Sequence, residues 1–203
     1  MIAPGRLRAS PPGDAEIRGV LLQRLRERHS DEMDIVFLEE IGLCRGQAFV
    51  DVAVVNGSIH GYEIKSDRDS LRRLAGQVAM YGRVLDRASL VVGTKYVDQA
   101  VNAVPAWWEI QIVEALDSGL RLKRLRAGRK NPARDARALV ELLWLDAALV
   151  LLAERGGIRG YSGRSRREIW DRVCDLYTID EIAEAVRKQL KARSAHRPAR
   201  PRT

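Results

Sequence analysis

The sequence predicts an α/β domain on a mixed sheet, ordered helix, three-strand meander, helix, strand, with a helical C-terminal extension. Three observations carry that prediction. Short β-branched runs alternate with amphipathic stretches of helical period. Asn56-Gly57 joins two of the runs as a hairpin, so that pair is antiparallel. The later runs are separated by helices, as parallel neighbours require.

Residues 1–13 are rich in Pro, Gly and Arg and read as a disordered basic arm. Asp14 is a good N-cap, and Ile17, Val20, Leu21 and Leu25 recur at helical spacing, giving a helix over about 15–27. Residues 34–40 form a short apolar run, after which Gly42 and Gly46 break the pattern. Residues 48–55 are almost continuously apolar, as in a strand buried on both faces, and 59–65 return from the hairpin. Leu71, Leu74, Val78, Tyr81 and Leu85 form one stripe of a helix over 71–85. A strand at 89–92, a helix at 95–104 and a strand at 109–113 complete the domain, about 14–126. From Arg121 a basic stretch reads as an edge strand and a linker ending at Asn131-Pro132. The extension, 127–191, carries one helix through Leu139, Leu143, Ala147 and Val150, ended by Gly156-Gly157. A second covers 166–176. A third starts at Thr178, with Glu181 completing a capping box. Residues 192–203 read as a disordered basic tail.

A chain of 203 residues with 46% hydrophobic content can bury a full core. Its net charge of +8 favours an acidic partner, of which nucleic acid is the commonest. Two cysteines without metal-type spacing, Cys44 and Cys174, fit a reducing compartment, so the expected location is cytoplasmic. No apolar run reaches transmembrane length, and no membrane partner is expected.

The segment 49–81 sets three charges in an apolar frame: Asp51, then Glu63 and Lys65. Burying such groups costs several kcal/mol unless they are paired or bind a metal. Strand parity constrains them. A two-residue Asn56-Gly57 loop sets Asp51 opposite Tyr62, on the face away from Glu63. A three-residue loop of Val55, Asn56 and Gly57, with Gly57 left-handed, pairs Val54 with Ser58 and brings Asp51, Glu63 and Lys65 to one face. The odd-length loop is the expectation. Gln77 and Tyr81, four apart, lie side by side on the following helix.

The string Asp51, eleven residues, Glu63-Ile64-Lys65, followed by Gln77-x-x-x-Tyr81, resembles the PD-(D/E)XK nuclease superfamily with its restriction-endonuclease-like fold. It is similar in detail to an uncharacterised bacterial and prophage family within it. The residues that carry the likeness are Glu40-Ile-Gly-Leu43, Asp51 to Asn56, Gly61 to Asp67, Arg73 to Gln77 and Pro105-Ala-Trp-Trp108. Val50 stands where many members have Pro. The resemblance implies Mg²⁺ or Mn²⁺ held by Asp51, Glu63, the Ile64 carbonyl and Glu40, with Glu39 an open alternative to Glu40. It implies that Lys65 orients water or stabilises charge on phosphorus, that Gln77 touches the site and that Tyr81 supports it. The function expected is hydrolysis of phosphodiesters in DNA, in repair or mobile-element and phage biology.

Plainer readings stand beside these. Glu63 and Lys65 also suit a sheet-face ion pair, Gln77 a structural hydrogen bond, and Tyr81, Trp107 and Trp108 a core. His29, His60 and His196 have no partner pattern. Arg124, Arg126, Arg129 and Lys130, with Arg164, Arg166 and Arg167, suit phosphate contacts or a solvated basic face equally. The other functional classes are a catalytically silent nucleic-acid-binding protein and a subunit that pairs, as homodimer or with another protein, through the helical extension.

Overall fold

The computed structural model describes residues 10–161 and 163–195. A six-stranded mixed sheet runs in chain order: β1 (Val36–Leu43), β2 (Ala48–Val55), β3 (Ile59–Lys65), β4 (Arg87–Gly93), β5 (Glu109–Leu116) and β6 (Gly119–Arg126). β1, β2 and β3 pair antiparallel, β3, β4 and β5 pair parallel, and β6 returns antiparallel on the far edge. The helices are α1 (Asp14–Arg28), α2 (Leu74–Val84), α3 (Val97–Ala103), α4 (Ala136–Val140), α5 (Leu145–Glu154), α6 (Arg166–Leu176) and α7 (Ile179–Ala195). None of them is long and apolar enough to cross a membrane.

The two faces of the sheet are covered unequally. Among the described residues one carries only α1, whose Ile17, Leu21, Leu22 and Leu25 pack on Val52, Val54, Tyr62 and Ile64. The other buries a larger core beneath α2 and the four C-terminal helices, with Tyr81, Trp108, Leu139, Trp170 and Val186 in one continuous cluster. The basic segment between β6 and α4 holds this layer in place. Asn131 donates its amide to the carbonyls of Gly82 (2.7 Å) and Leu85 (2.8 Å), and its own N–H goes to Asp86 O. Asp86 in turn accepts Ile59 N–H and pairs with Arg134, which also reaches Asp180 on α7. A helix ending, a strand beginning and the last helix thus meet on one buried polar node.

Several expected boundaries move, each for a local reason. Asp14 is the first helical residue and Gly13 the cap; its carboxylate accepts from Arg18 one turn on. Residues 10–13 are engaged too, since Arg68 donates to Pro11 O and Ser10 Oγ. The single helix expected through Leu139 and Val150 is two, because Gln189 of α7 accepts Trp144 N–H and donates to Leu142 O in the gap between α4 and α5. The capping box at Thr178 and Glu181 forms, and α7 continues to Ala195, four residues past its expected end. The remaining parts of the expected terminal arms, 1–9 and 196–203, lie outside the described residues.

The hairpin loop has three residues, but one position later than expected. Val55 pairs with Ile59, leaving Asn56, Gly57 and Ser58 as the loop. The Asn56 side chain closes it by accepting Ser58 N–H at 3.1 Å, so Gly57 is not left-handed as expected. Parity is unchanged, and this register, extended one rung past Val52 and Tyr62, would set Asp51 against Glu63.

The polar node yields a stability prediction. Asn131→Ala leaves a buried and a part-buried carbonyl without their side-chain donor and lowers unfolding free energy by about 2 kcal/mol in urea titration. Exposed Arg129→Ala, two residues away, changes it by less than about 0.5 kcal/mol. Equal effects from the two would refute the docking role.

Candidate active site

The site forms where the β2–β3 ladder stops. Its last rung is Val52 with Tyr62; continuing it would set Asp51 on Glu63 and Val50 on Ile64. Instead, Asp51 Oδ2 takes the Ile64 N–H at 2.7 Å, so a carboxylate replaces a rung of the ladder. β1 and β2 are both kinked here. Val36 and Leu38 share a face with Ile41, and Val55 and Ala53 share one with Val50, so each strand shifts parity by one residue. The shift falls at Glu40, whose φ is 54°, and at Asp51, its counterpart in the β1–β2 register. A bulge of this kind re-aims side chains. It turns Asp51 into the gap between β2 and β3.

Glu63 points from β3 into the α2 face and is buried. Its Oε1 accepts Lys65 Nζ at 2.5 Å and Gln77 Nε2 at 2.6 Å; its Oε2 accepts the Tyr81 hydroxyl. That hydroxyl also reaches Phe49 O at 2.6 Å, sharing one proton between the two acceptors. Burial and Glu63 push the Tyr81 phenol well up, so it remains a donor. Its ring stacks on Trp108 at 5.6 Å, which makes Trp108 part of the core. The structure therefore brings Asp51, Glu63, Lys65, Gln77 and Tyr81 together.

Glu40 is placed differently from the expected metal ligand. It lines, with Glu39, a cleft of about 790 Å³ between β1 and the end of α7, to which Asp51, Glu63 and Lys65 do not contribute. Glu39 lies nearer the site, its Oε2 3.8 Å from Arg18. Among the described residues no three acidic, histidine or cysteine side chains form a metal-holding group. Arg18 was not singled out from the sequence. It donates to Asp51 O (3.2 Å) and Asp51 Oδ1 (3.3 Å) from α1. Its one available signal was the i, i+4 spacing from Asp14 beside the apolar stripe of α1.

The donor chemistry suits a hard divalent cation. Two carboxylates and a main-chain carbonyl supply oxygen, the ligand type Mg²⁺ and Mn²⁺ take. Gln77 Oε1 is buried beside them with no hydrogen-bond partner, an orphaned oxygen in an otherwise satisfied site. Burial first, then the Glu63 charge, push Asp51 up to about 6, against the opposing Ile64 N–H and Arg18. Two carboxylates that repel each other in a closed site gain from a cation between them.

The basic candidates divide. Arg126 donates to the carbonyls of Val101, Val104, Pro105 and Trp108, closing the corner after α3, so its guanidinium is occupied internally. Arg164 pairs with Glu168, Arg166 lies over Trp170, and Arg167 lies 3.9 Å from Asp171. Arg129 is exposed, Lys130 lines a shallow cleft beside α7, and Arg124 lines a cavity on the α1 face.

The raised Asp51 has a sign that can be checked. A carboxyl with a folded value above its unfolded one near 3.8 binds more protons in the folded state, so stability falls as pH rises from about 4 to about 6. Asp51→Asn keeps the acceptor for Ile64 N–H without the charge. At pH 7.5 it melts a few degrees above the parent, and the gap closes below about pH 4. A variant no more stable at any pH would show that the carboxylate is not held at a cost.

Residues 12–198 match the protein family described as bacteriophage P4 protein cII. Protein cII of Enterobacteria phage P4 is 25% identical over 160 residues, which cover 79% of this chain and 60% of that protein. The chain thus spans less than two thirds of that relative's length. A protein of unknown function from Silicibacter pomeroyi, SPO1766, aligns with a TM-score of 0.43 at 22% identity, covering 78% of this chain and 99% of that one. With nearly its whole length matched, the chain belongs to the bacteriophage P4 protein cII family.

Proposed function

We propose that this chain is a metal-dependent nuclease of PD-(D/E)XK type that hydrolyses phosphodiesters in DNA. The observation that carries the reading is that Asp51 and Glu63 come close at the fork of β2 and β3, Asp51 on the Ile64 N–H and Lys65 on the Glu63 carboxylate. The sheet supports it: an antiparallel β1–β2–β3 meander followed by a parallel crossover through α2 to β4 is the arrangement expected of a restriction-endonuclease-like core.

Each residue has a role that its contacts make sensible. Asp51, Glu63 and the Ile64 carbonyl would hold Mg²⁺ or Mn²⁺, and the buried Gln77 Oε1, which has no hydrogen-bond partner, would be a further oxygen within reach of the site. A metal held there would supply Lewis acidity toward the phosphate and lower the pKa of a bound water. Lys65 is held at Glu63 Oε1, where its ammonium would meet the negative charge that develops on a phosphate bound at the acid pair. Tyr81 and Gln77 fix the Glu63 rotamer from α2. Arg18 neutralises Asp51 from the other side and would set the distance between the strands.

A second reading keeps the fold as a silent DNA-binding protein. Its support is the closure of the site: Lys65 is 6% exposed and Glu63 1%. Incubating purified protein with linear, nicked and single-stranded DNA in Mg²⁺, Mn²⁺ or EDTA separates the two. The nuclease reading predicts metal-dependent cutting that Lys65→Met lowers by about 100-fold or more, the scale of one lost transition-state donor. Folding is checked by an unchanged far-UV spectrum. Binding without cutting of any DNA form, unaffected by metal, would favour the silent reading.

A further inference from the structure

The face of the sheet that carries α1, and no other helix among the described residues, also carries a row of polar side chains. His60 and Tyr62 of β3, Ser89 of β4 and Glu109 of β5 lie on this face. They form one hydrogen-bonded chain. Tyr62 OH meets His60 Nδ1 at 3.2 Å, His60 Nε2 meets Ser89 Oγ at 2.8 Å, and Ser89 donates to Glu109 Oε2 at 2.8 Å. Burial, with Arg87 and Arg28 nearby, pulls the His60 ring down to about 3, so it is neutral. With Tyr62 donating to Nδ1, Nε2 carries the ring proton, and the whole chain runs one way toward the Glu109 carboxylate. Ser89 and Glu109 are buried, and nothing in the phosphodiester chemistry uses them.

Above this floor is a cavity of about 300 Å³, at the small end of ligand-site volumes. Its walls bring in Arg28 from the end of α1, Arg87 from the start of β4 and Arg124 from β6. These residues are far apart in sequence. The fold brings them to one opening, which a merely solvated basic face does not require. Arg18, Arg83, Arg134 and Arg137 each hold a carboxylate, whereas Arg28, Arg87 and Arg124 have no ion pair among the described residues. Three exposed guanidiniums around one opening match a phosphate, which accepts bidentate forks. The cavity is roomier than a phosphate needs. Of the residues in the polar chain, Tyr62 and Glu109 line it with acceptor oxygens to spare, Glu109 Oε1 and the Tyr62 hydroxyl oxygen, for hydroxyl or amine groups on an attached body.

The site is separate from the acid pair. His60 and Glu63 are three residues apart on β3, so they face opposite sides of the sheet about 10 Å apart along the strand.

We propose that this cavity binds a nucleoside phosphomonoester. Arg28, Arg87 and Arg124 take the phosphate, and Tyr62 and Glu109, oriented by His60 and Ser89, take the polar edge of the nucleoside. The ligand is a free nucleotide or the 5′-phosphorylated end of a strand, which share this chemistry.

The test uses the full chain in EDTA, so that it stands whether or not the protein cuts DNA. Adenosine, AMP, inorganic phosphate and a short oligonucleotide with 5′-phosphate or 5′-hydroxyl are titrated by calorimetry. AMP or the 5′-phosphorylated strand binds at least about tenfold more tightly than its unphosphorylated counterpart, on the scale of one charge-assisted phosphate contact. Whichever of the two wins identifies the source. The exposed double variant Arg87→Gln, Arg124→Gln loses at least about tenfold in that affinity. Arg121→Gln, on β6 but paired with Glu114, leaves it unchanged. Equal binding with and without the phosphate would overturn the proposal. So would an equal loss from Arg121→Gln, which would mean charge alone, or binding of inorganic phosphate as tight as AMP.

Discussion

The buried Glu63 carboxylate is the interaction on which the rest of the site depends. An ionised carboxylate out of water costs several kcal/mol unless every lone pair is met. Here Lys65 meets it from the same strand, and Gln77 and Tyr81 from α2. Tyr81 then ties Phe49 O, a carbonyl of β2 below the end of the ladder. One carboxylate thus fixes the angle of α2 to β3 and the separation of β3 from β2. That separation leaves room for Asp51. The site and the fork in the sheet are one feature.

Around that feature the chain divides its positive charge into two populations. Arg18, Arg126 and Arg134 are structural: they hold Asp51, four carbonyls of a corner, and the Asp86–Asp180 bridge. Arg28, Arg87 and Arg124 have no acidic partner among the described residues and gather on the thinly covered face. A net charge of +8 describes neither arrangement. Which arginines are available to a ligand is decided by the carbonyls and carboxylates the fold brings near them.

Much of the site was legible in the sequence because strand parity is geometry. The odd hairpin loop followed from requiring Asp51 on the Glu63 face, and its length is three. The frame was not legible: Asn56 closes the turn with its own side chain, which displaces the loop by one residue from the expected left-handed Gly57. The left-handed Glu40 could not be read either, since a shift of parity in both strands at one rung is a property of their pairing. Arg18 and the polar chain from Tyr62 to Glu109 depend on elements that meet only in three dimensions. His60 carried no local pattern, because its partners are Ser89, on another strand, and a tyrosine two residues on. The break between α4 and α5 has the same origin, set by Gln189 some forty-five residues away.

The central claim is that Asp51 and Glu63 form a cation site, which direct binding tests better than turnover does. Titrating the protein with Mn²⁺ and following the free ion by electron paramagnetic resonance should show about one bound ion per chain, displaced by Mg²⁺, as expected for an oxygen-ligand site. Asp51→Asn and Glu63→Gln should each abolish it. No saturable Mn²⁺ binding, or binding that survives both substitutions, would contradict the account.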